Sequence, residues 1–186
     1  PEVEGTMGRH INAENSSIYL VQDEVDATNI QVKNSKSLAL VTQTTLSVDE
    51  TMSIIEILKK RFPKIEIPKK DDICYATQNR QDAVKQLALE SDYIIVVGSK
   101  NSSNSNRLKE LAEKCGCKSI LIDEFSDLDL EDLQKFENIA ITAGASAPES
   151  RVMEIAKSLE NYFDARLTED GEDTENVYFK IPPGVR

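Results

Sequence analysis

Short apolar runs alternating with amphipathic helical stretches predict an α/β protein built from parallel βαβ units covered on both faces. Three observations support that class. The runs SLALV (37–41), YIIVV (93–97), KSILI (118–122) and IAIT (139–142) are short, apolar and strand-like. Stretches with apolar residues at three- and four-residue spacing lie between and after them. Four junctions rich in Ser, Thr and Asn precede helical stretches: TQTTLS (42–47), CYATQNR (74–80), GSKNSSNSNR (98–107) and TAGASAPE (142–149).

The first helix is predicted from Ser47, which with Glu50 forms an S-x-x-E capping box, through Ile54, Ile55 and Leu58 to Phe62, where Pro63 stops it. Residues 65–67 read as the next strand. Val84, Leu87 and Ala88 predict a helix after CYATQNR, and YIIVV is the clearest buried strand. Leu108, Leu111, Ala112 and Cys115 give a helix that ends at Gly116, and KSILI follows as a strand. Residues 128–136 read as a short acidic helix and 139–142 as a strand. Val152, Ile155, Ala156 and Leu159 mark a final helix. Residues 1–36 have weak periodicity apart from 18–21. After Asp164 comes the acidic run TEDGEDTE, read as a solvated loop, and then NVYFKIPP, which alternates enough for an edge strand closed by Pro182 and Pro183. The polar stretch PKKDD (68–72) suggests a boundary between an α/β region over 1–70 and a second over 71–160, with a tail over 161–186.

With 186 residues the chain is long enough for one large or two small domains. A formal charge of -11 and a pI near 4.7 argue against a nucleic-acid partner, which needs a concentrated basic surface. No apolar run approaches a membrane span, and PEVEGTMGRH lacks the apolar core of a signal peptide. Three cysteines, an odd number, suggest reduced thiols in a cytoplasmic setting.

In an open parallel sheet, ligands bind beyond the carboxyl ends of the strands. Hydroxyls, amides and helix-start N–H groups at that edge suit a phosphate or diphosphate, with Arg80, Lys100 and Arg107 the basic residues within the four junctions. The same residues are also good N-caps and turn formers, which accounts for any single junction, though less well for four in succession. Cys74 reads either as a small buried hydrophobe or as a ligand or nucleophile among polar loops. The CGC of Cys115 to Cys117 reads as a core residue and a post-cap residue at a helix end, since zinc sites usually present two pairs. His10, the sole histidine, reads as a surface residue, and Glu2 and Glu4 as solvated acids.

PEVEGTMG, TQTTLS, DDICYAT-x-NRQ, VGSKNSSNSNRL and TAGASAP, in that order from Pro1 to about Leu159, resemble the successive motifs of the LytB family, the 4-hydroxy-3-methylbut-2-enyl diphosphate reductases of the non-mevalonate isoprenoid pathway. The resemblance implies a three-lobed α/β reductase with a four-iron four-sulfur cluster, held by three cysteines, between the lobes. It implies removal of an allylic hydroxyl with two electrons and two protons, giving isopentenyl and dimethylallyl diphosphates. By the same resemblance Cys74 matches the last cluster cysteine and Glu2 the proton-delivering acid. Thr44 matches the threonine beside that acid and the substrate hydroxyl. Ser102, Ser103 and Asn104 match the diphosphate-gripping loop, and Ser146 closes the same pocket. The electron donor implied is a ferredoxin or flavodoxin.

The family's remaining cluster cysteines and diphosphate-binding histidines lie upstream of PEVEG, and this chain does not contain them. The expectation is therefore an incomplete second lobe over 1–70 and a nearly complete third over 71–160. The chain alone is expected to be inactive, and a separate N-terminal polypeptide is one possible partner. The competing class is a non-enzymatic module that binds a phosphate ligand with the same loops.

Overall fold

Three five-residue strands form one parallel sheet: β1 (Tyr93–Val97), β2 (Lys118–Ile122) and β3 (Ile139–Ala143). The computed structural model describes residues 2–10, 16–68 and 72–168, with only the backbone of Glu2. The strand order is β2-β1-β3, with Ile95 of β1 opposite both Ile120 and Ile141. The chain thus moves from the central strand to one side and then back across it. Loops leaving β1 and β3 become neighbours at the carboxyl edge.

Four residues of β1 are buried, and they alternate between two cores. Ile94 and Val96 join Val84, Leu108, Ala112, Cys117 and Leu121 on one face. Ile95 and Val97 join Ile122, Leu133, Ile155 and Leu159 on the other. That two-residue period is the pleat of a strand buried on both sides. The first face is covered by α4 (Tyr75–Glu90) and α5 (Ser103–Lys114). The second is covered by α6 (Leu130–Leu133) and α7 (Glu149–Phe163).

Before the sheet come α1 (Glu2–Gly8), α2 (Glu24–Asn29) and α3 (Val48–Arg61). Neither α1 nor α2 is legible from periodicity. EVEGTMG carries two glycines, and α2 has six residues started by the Asp23 carboxylate, which accepts from the Asp26 N–H at 2.8 Å. At the other end of α2, Arg61 donates to the carbonyls of Ala27 (2.6 Å) and Ile30 (2.7 Å). In α3, the Ser47 hydroxyl accepts from the Glu50 N–H as the capping box predicts, and the Glu50 carboxylate pairs with Lys114 of α5.

Two expected strands shrink to a single contact. SLALV and residues 65–67 meet only as a parallel bridge between Ala39 and Glu66, held by Leu40 N–H to Glu66 C=O and Glu66 N–H to Leu38 C=O, both 2.8 Å. Val41 is 72% exposed, so the run lacks the two-sided burial that stabilises a strand of this composition. Residues 18–21 form no strand, and the acidic helix over 128–136 reduces to α6 and its flanking turns. The edge strand expected in NVYFKIPP lies outside the described residues, as do positions 69–71 of the expected boundary.

The CGC segment is a helix terminus. Gly116 has φ +86°, with its N–H on the Glu113 carbonyl (3.0 Å) and the Cys117 N–H on the Ala112 carbonyl (3.1 Å), the paired bonds of a Schellman ending. Burial falls on Cys117, whereas Cys115, taken from periodicity as the core residue, is exposed. No atom lies near the place a Gly116 Cβ would take, so only backbone strain opposes a side chain there. Gly116→Ala is therefore expected to lose about 1–2 kcal/mol of stability from the left-handed backbone alone. An unchanged urea midpoint and slope would contradict that origin.

Candidate functional site

The loops after β1 and β3 leave the sheet as continuations of its ladder. The Gly98 N–H donates to the Ile122 carbonyl at 2.8 Å and the Gly144 N–H to the Val97 carbonyl at 2.9 Å. Ser105, in the first turn of α5, is fully buried between the two glycines. Its Oγ lies 2.3 Å from where a Gly98 Cβ would sit and 2.0 Å from where a Gly144 Cβ would sit. Glycine is thus required at both positions by close approach, and Ser105 fixes how near the loops come.

Ser102 is the N-cap of α5, its hydroxyl accepting from the Ser105 N–H at 3.3 Å. The Asn106 amide closes the preceding turn on the carbonyls of Lys100 (2.9 Å) and Ser102 (2.8 Å). Beside them Asn104 is 5% exposed, and neither Oδ1 nor Nδ2 has a hydrogen-bond partner. Among the described residues, the buried side-chain polar atoms left unsatisfied are those two and Ser105 Oγ. Buried polar groups are nearly always paired, so the Asn104 amide at this helix start is the group here suited to meet a ligand, whereas Ser105 Oγ is enclosed between the two glycines. Ser103 is half-buried in the same turn, and Ser146 is exposed in the turn that the Ala147 N–H closes on the Gly144 carbonyl at 3.0 Å.

The two arginines of these loops are engaged with the protein. Arg107 pairs with Glu110 at 2.6 Å, and Arg80 donates to the Ala76 carbonyl at 3.0 Å. The carboxyl of Asp127 is held below the usual carboxylate range mainly by the N–H groups of Glu124 and Asp123, with a smaller part from the charge of Lys100. An anion at this edge would therefore rest chiefly on N–H groups, hydroxyls and the dipole of α5.

A second pair of predicted residues meets elsewhere. Cys74 is the N-cap of α4, exposed and without a side-chain capping bond. Its N–H donates to the Thr44 carbonyl at 3.0 Å, and its own carbonyl accepts from the N–H groups of Thr77 (2.8 Å) and Gln78 (3.0 Å). The small-hydrophobe reading of Cys74 therefore fails, because a thiol at an exposed helix start does not pack. CYATQNR is mostly α4 itself, and among the described residues no strand leads into it. Thr44 is exposed in a turn, and Glu2 opens α1, its side chain lying outside the described residues. His10 is half-buried with Nε2 3.1 Å from Ser16 Oγ.

The placement of Cys74 fits one thiolate ligand of an iron–sulfur cluster: the sulfur is exposed, uncommitted to capping, and carried on a rigid helix start. Among the described residues, no three His, Cys, Asp or Glu side chains converge as a metal site. Burial raises the thiol pKa of Cys117, whose Sγ lies 3.3 Å from the Ser91 carbonyl.

Sequence reading missed two residues of this region. Ser105 passes for one more polar residue in NSSNSN, and only its spacing of three from Leu108 on the buried face of α5 hints otherwise. Gln81 falls at the same spacing from Val84, on the buried stripe of α4, and is 2% exposed.

Fold and site together define an α/β protein with a helix-start cradle suited to an anion at α5 and, separately, an exposed thiol at the start of α4. Its relatives narrow the class, and the chain belongs to the LytB family, whose model, LytB protein, matches residues 1–160. It is 53% identical over its whole length to the 4-hydroxy-3-methylbut-2-enyl diphosphate reductase of Saccharophagus degradans, and spans 60% of that protein. It is likewise 53% identical to the reductase of that name from Ectopseudomonas mendocina, spanning 59% of it. The solved E-1-hydroxy-2-methyl-but-2-enyl-4-diphosphate reductase of Plasmodium falciparum is similar at 36% identity and a TM-score of 0.81, over 88% of this chain and 52% of that one. The chain thus spans about 60% of the length of the curated relatives it matches.

Two outcomes are expected. Gly144→Ala should cost about 1–3 kcal/mol by overpacking against Ser105, and Ser105→Gly in the same chain should recover most of it; equal denaturation midpoints for the single and double variants would contradict the contact. With iodoacetamide at pH 8, mass spectrometry should find Cys74 and Cys115 alkylated first. Cys117, buried and held protonated, should react only in denaturant.

Proposed function

We propose that this chain carries the diphosphate-binding edge, one cluster ligand and part of the proton-delivery path of a 4-hydroxy-3-methylbut-2-enyl diphosphate reductase. Supporting this reading above all is Asn104, a buried amide with both polar atoms unpartnered at the start of a helix. A diphosphate oxygen would take its Nδ2 hydrogens, joined by the hydroxyls of Ser102 and Ser103 from the same turn and Ser146 from the neighbouring loop. The N-capping role of Ser102 uses its oxygen as acceptor and leaves its O–H to donate.

Cys74 would hold one iron of a four-iron four-sulfur cluster, with the other protein thiolates coming from outside these 186 residues. When bound, that cluster supplies the two electrons of the reduction. Glu2 delivers a proton to the allylic hydroxyl, with Thr44 orienting the pair, so that the C–O bond breaks with loss of water rather than hydroxide. The second proton goes to the carbon chain, giving isopentenyl or dimethylallyl diphosphate. Residues 1–70 and 71–160 belong to two lobes of the parent enzyme, which works in the cytoplasm with a ferredoxin or flavodoxin as donor. No helix among the described residues is long and apolar enough to cross a membrane.

The alternative, a phosphate-binding module without redox chemistry, shares every loop contact and differs at Cys74. The decisive comparison is made anaerobically in the full-length reductase. Cys74→Ser should lose the cluster's visible absorption and all measurable turnover while keeping its affinity for inorganic pyrophosphate within about twofold. Asn104→Leu should weaken pyrophosphate binding about fivefold or more, the size of one lost hydrogen bond. Full turnover in Cys74→Ser would sink the reductase reading.

A further inference from the structure

The segment from Thr42 to Val48 lies in no strand, yet it is fastened to residues 72–81 at every second position. The Thr42 N–H donates to the Asp72 carboxylate at 2.8 Å, with the Thr42 hydroxyl at 3.4 Å from the same oxygen. The Cys74 N–H donates to the Thr44 carbonyl at 3.0 Å. Further along, Gln81 Nε2 donates to the Leu46 carbonyl at 2.8 Å, and Gln81 Oε1 accepts from the Val48 N–H at 3.1 Å. Gln81 is 2% exposed, and its amide ends the seam.

Gln81 therefore does two things with one side chain. Val48 is the first residue of α3, so its N–H is one of the donors a helix start leaves unpaired, and Gln81 satisfies it from another helix. The same amide holds the last turn carbonyl before that helix. One end of the Thr44 turn is thus tied to Asp72 and Cys74, just before α4, and the other to α4 itself through Gln81. An aliphatic side chain of this length would fill the space and free both backbone groups.

We propose that Gln81 is a positioning residue that sets the separation between Thr44 and Cys74. It acts through the backbone of the TQTTLS turn and touches no reacting atom. The inference rests on the roles proposed above for those two residues. It does not involve the diphosphate cradle, which lies on the loops after β1 and β3.

Two measurements test it, using Gln81→Met, which keeps length and removes both bonds, and Gln81→Glu, which keeps the acceptor alone. In the 186-residue chain, amide hydrogen exchange at Val48 and Cys74 should rise at least tenfold in Gln81→Met, while the amides of β1 keep their protection. In the full-length reductase, kcat should fall at least tenfold with KM within twofold, because the cradle is untouched; Gln81→Glu should fall between that variant and the unaltered enzyme. An unchanged kcat, a KM rising as much as kcat falls, or uniform loss of protection across β1 would overturn the positioning role. If the unaltered full-length protein does not reduce the substrate, the proposed function fails first; unchanged exchange at Cys74 in the variant would separately refute the brace.

Discussion

One buried serine governs how close the two loops of the carboxyl edge can come. Ser105 fills the space that side chains would take at Gly98 and Gly144, and those glycines are the first residues past β1 and β3. The strand order makes the loops neighbours, but strand pairing alone does not fix the distance between them. Packing of this kind is intolerant of even one added methylene. The contact turns a general property of parallel sheets, loops gathered at one edge, into a defined spacing between Asn104 and the turn that carries Ser146.

The sheet was legible in the sequence because β1 is buried on both faces and has no polar residue to confuse its period. The helices covering it carry stripes such as Leu108, Ala112 and Val84 that announce themselves. SLALV has similar composition but, among the described residues, pairs only at the Ala39–Glu66 bridge, and Val41 faces solvent. Local composition cannot report the absence of a neighbouring strand. The α1 and α2 helices failed for the opposite reason: they are too short for periodicity, and tertiary ties such as Arg61 to the end of α2 complete one of them.

The site was legible in part. Hydroxyl-rich helix starts announce an anion cradle, and the structure adds that the nearby arginines are bound to protein groups, leaving dipoles and neutral donors as the main attraction. That suits a chain with a net charge of -11, whose general field repels a diphosphate. The cradle proposed above would have to overcome that repulsion at short range. What no linear reading could supply was the pairing of residues 30 or more positions apart: Thr42 with Asp72, Thr44 with Cys74, and Leu46 and Val48 with Gln81.

The first turn of α3 also reaches across the seam through its charges. Asp49 pairs with Lys85 of α4 at 2.9 Å and Glu50 with Lys114 of α5, all four side chains substantially exposed to water. Pairs of this kind are weak and fade as ions screen them, whereas the sheet beneath is held by apolar burial that salt does not weaken. The molecule thus joins two materials of unlike response: a core indifferent to ionic strength and a polar suture that loosens as salt rises.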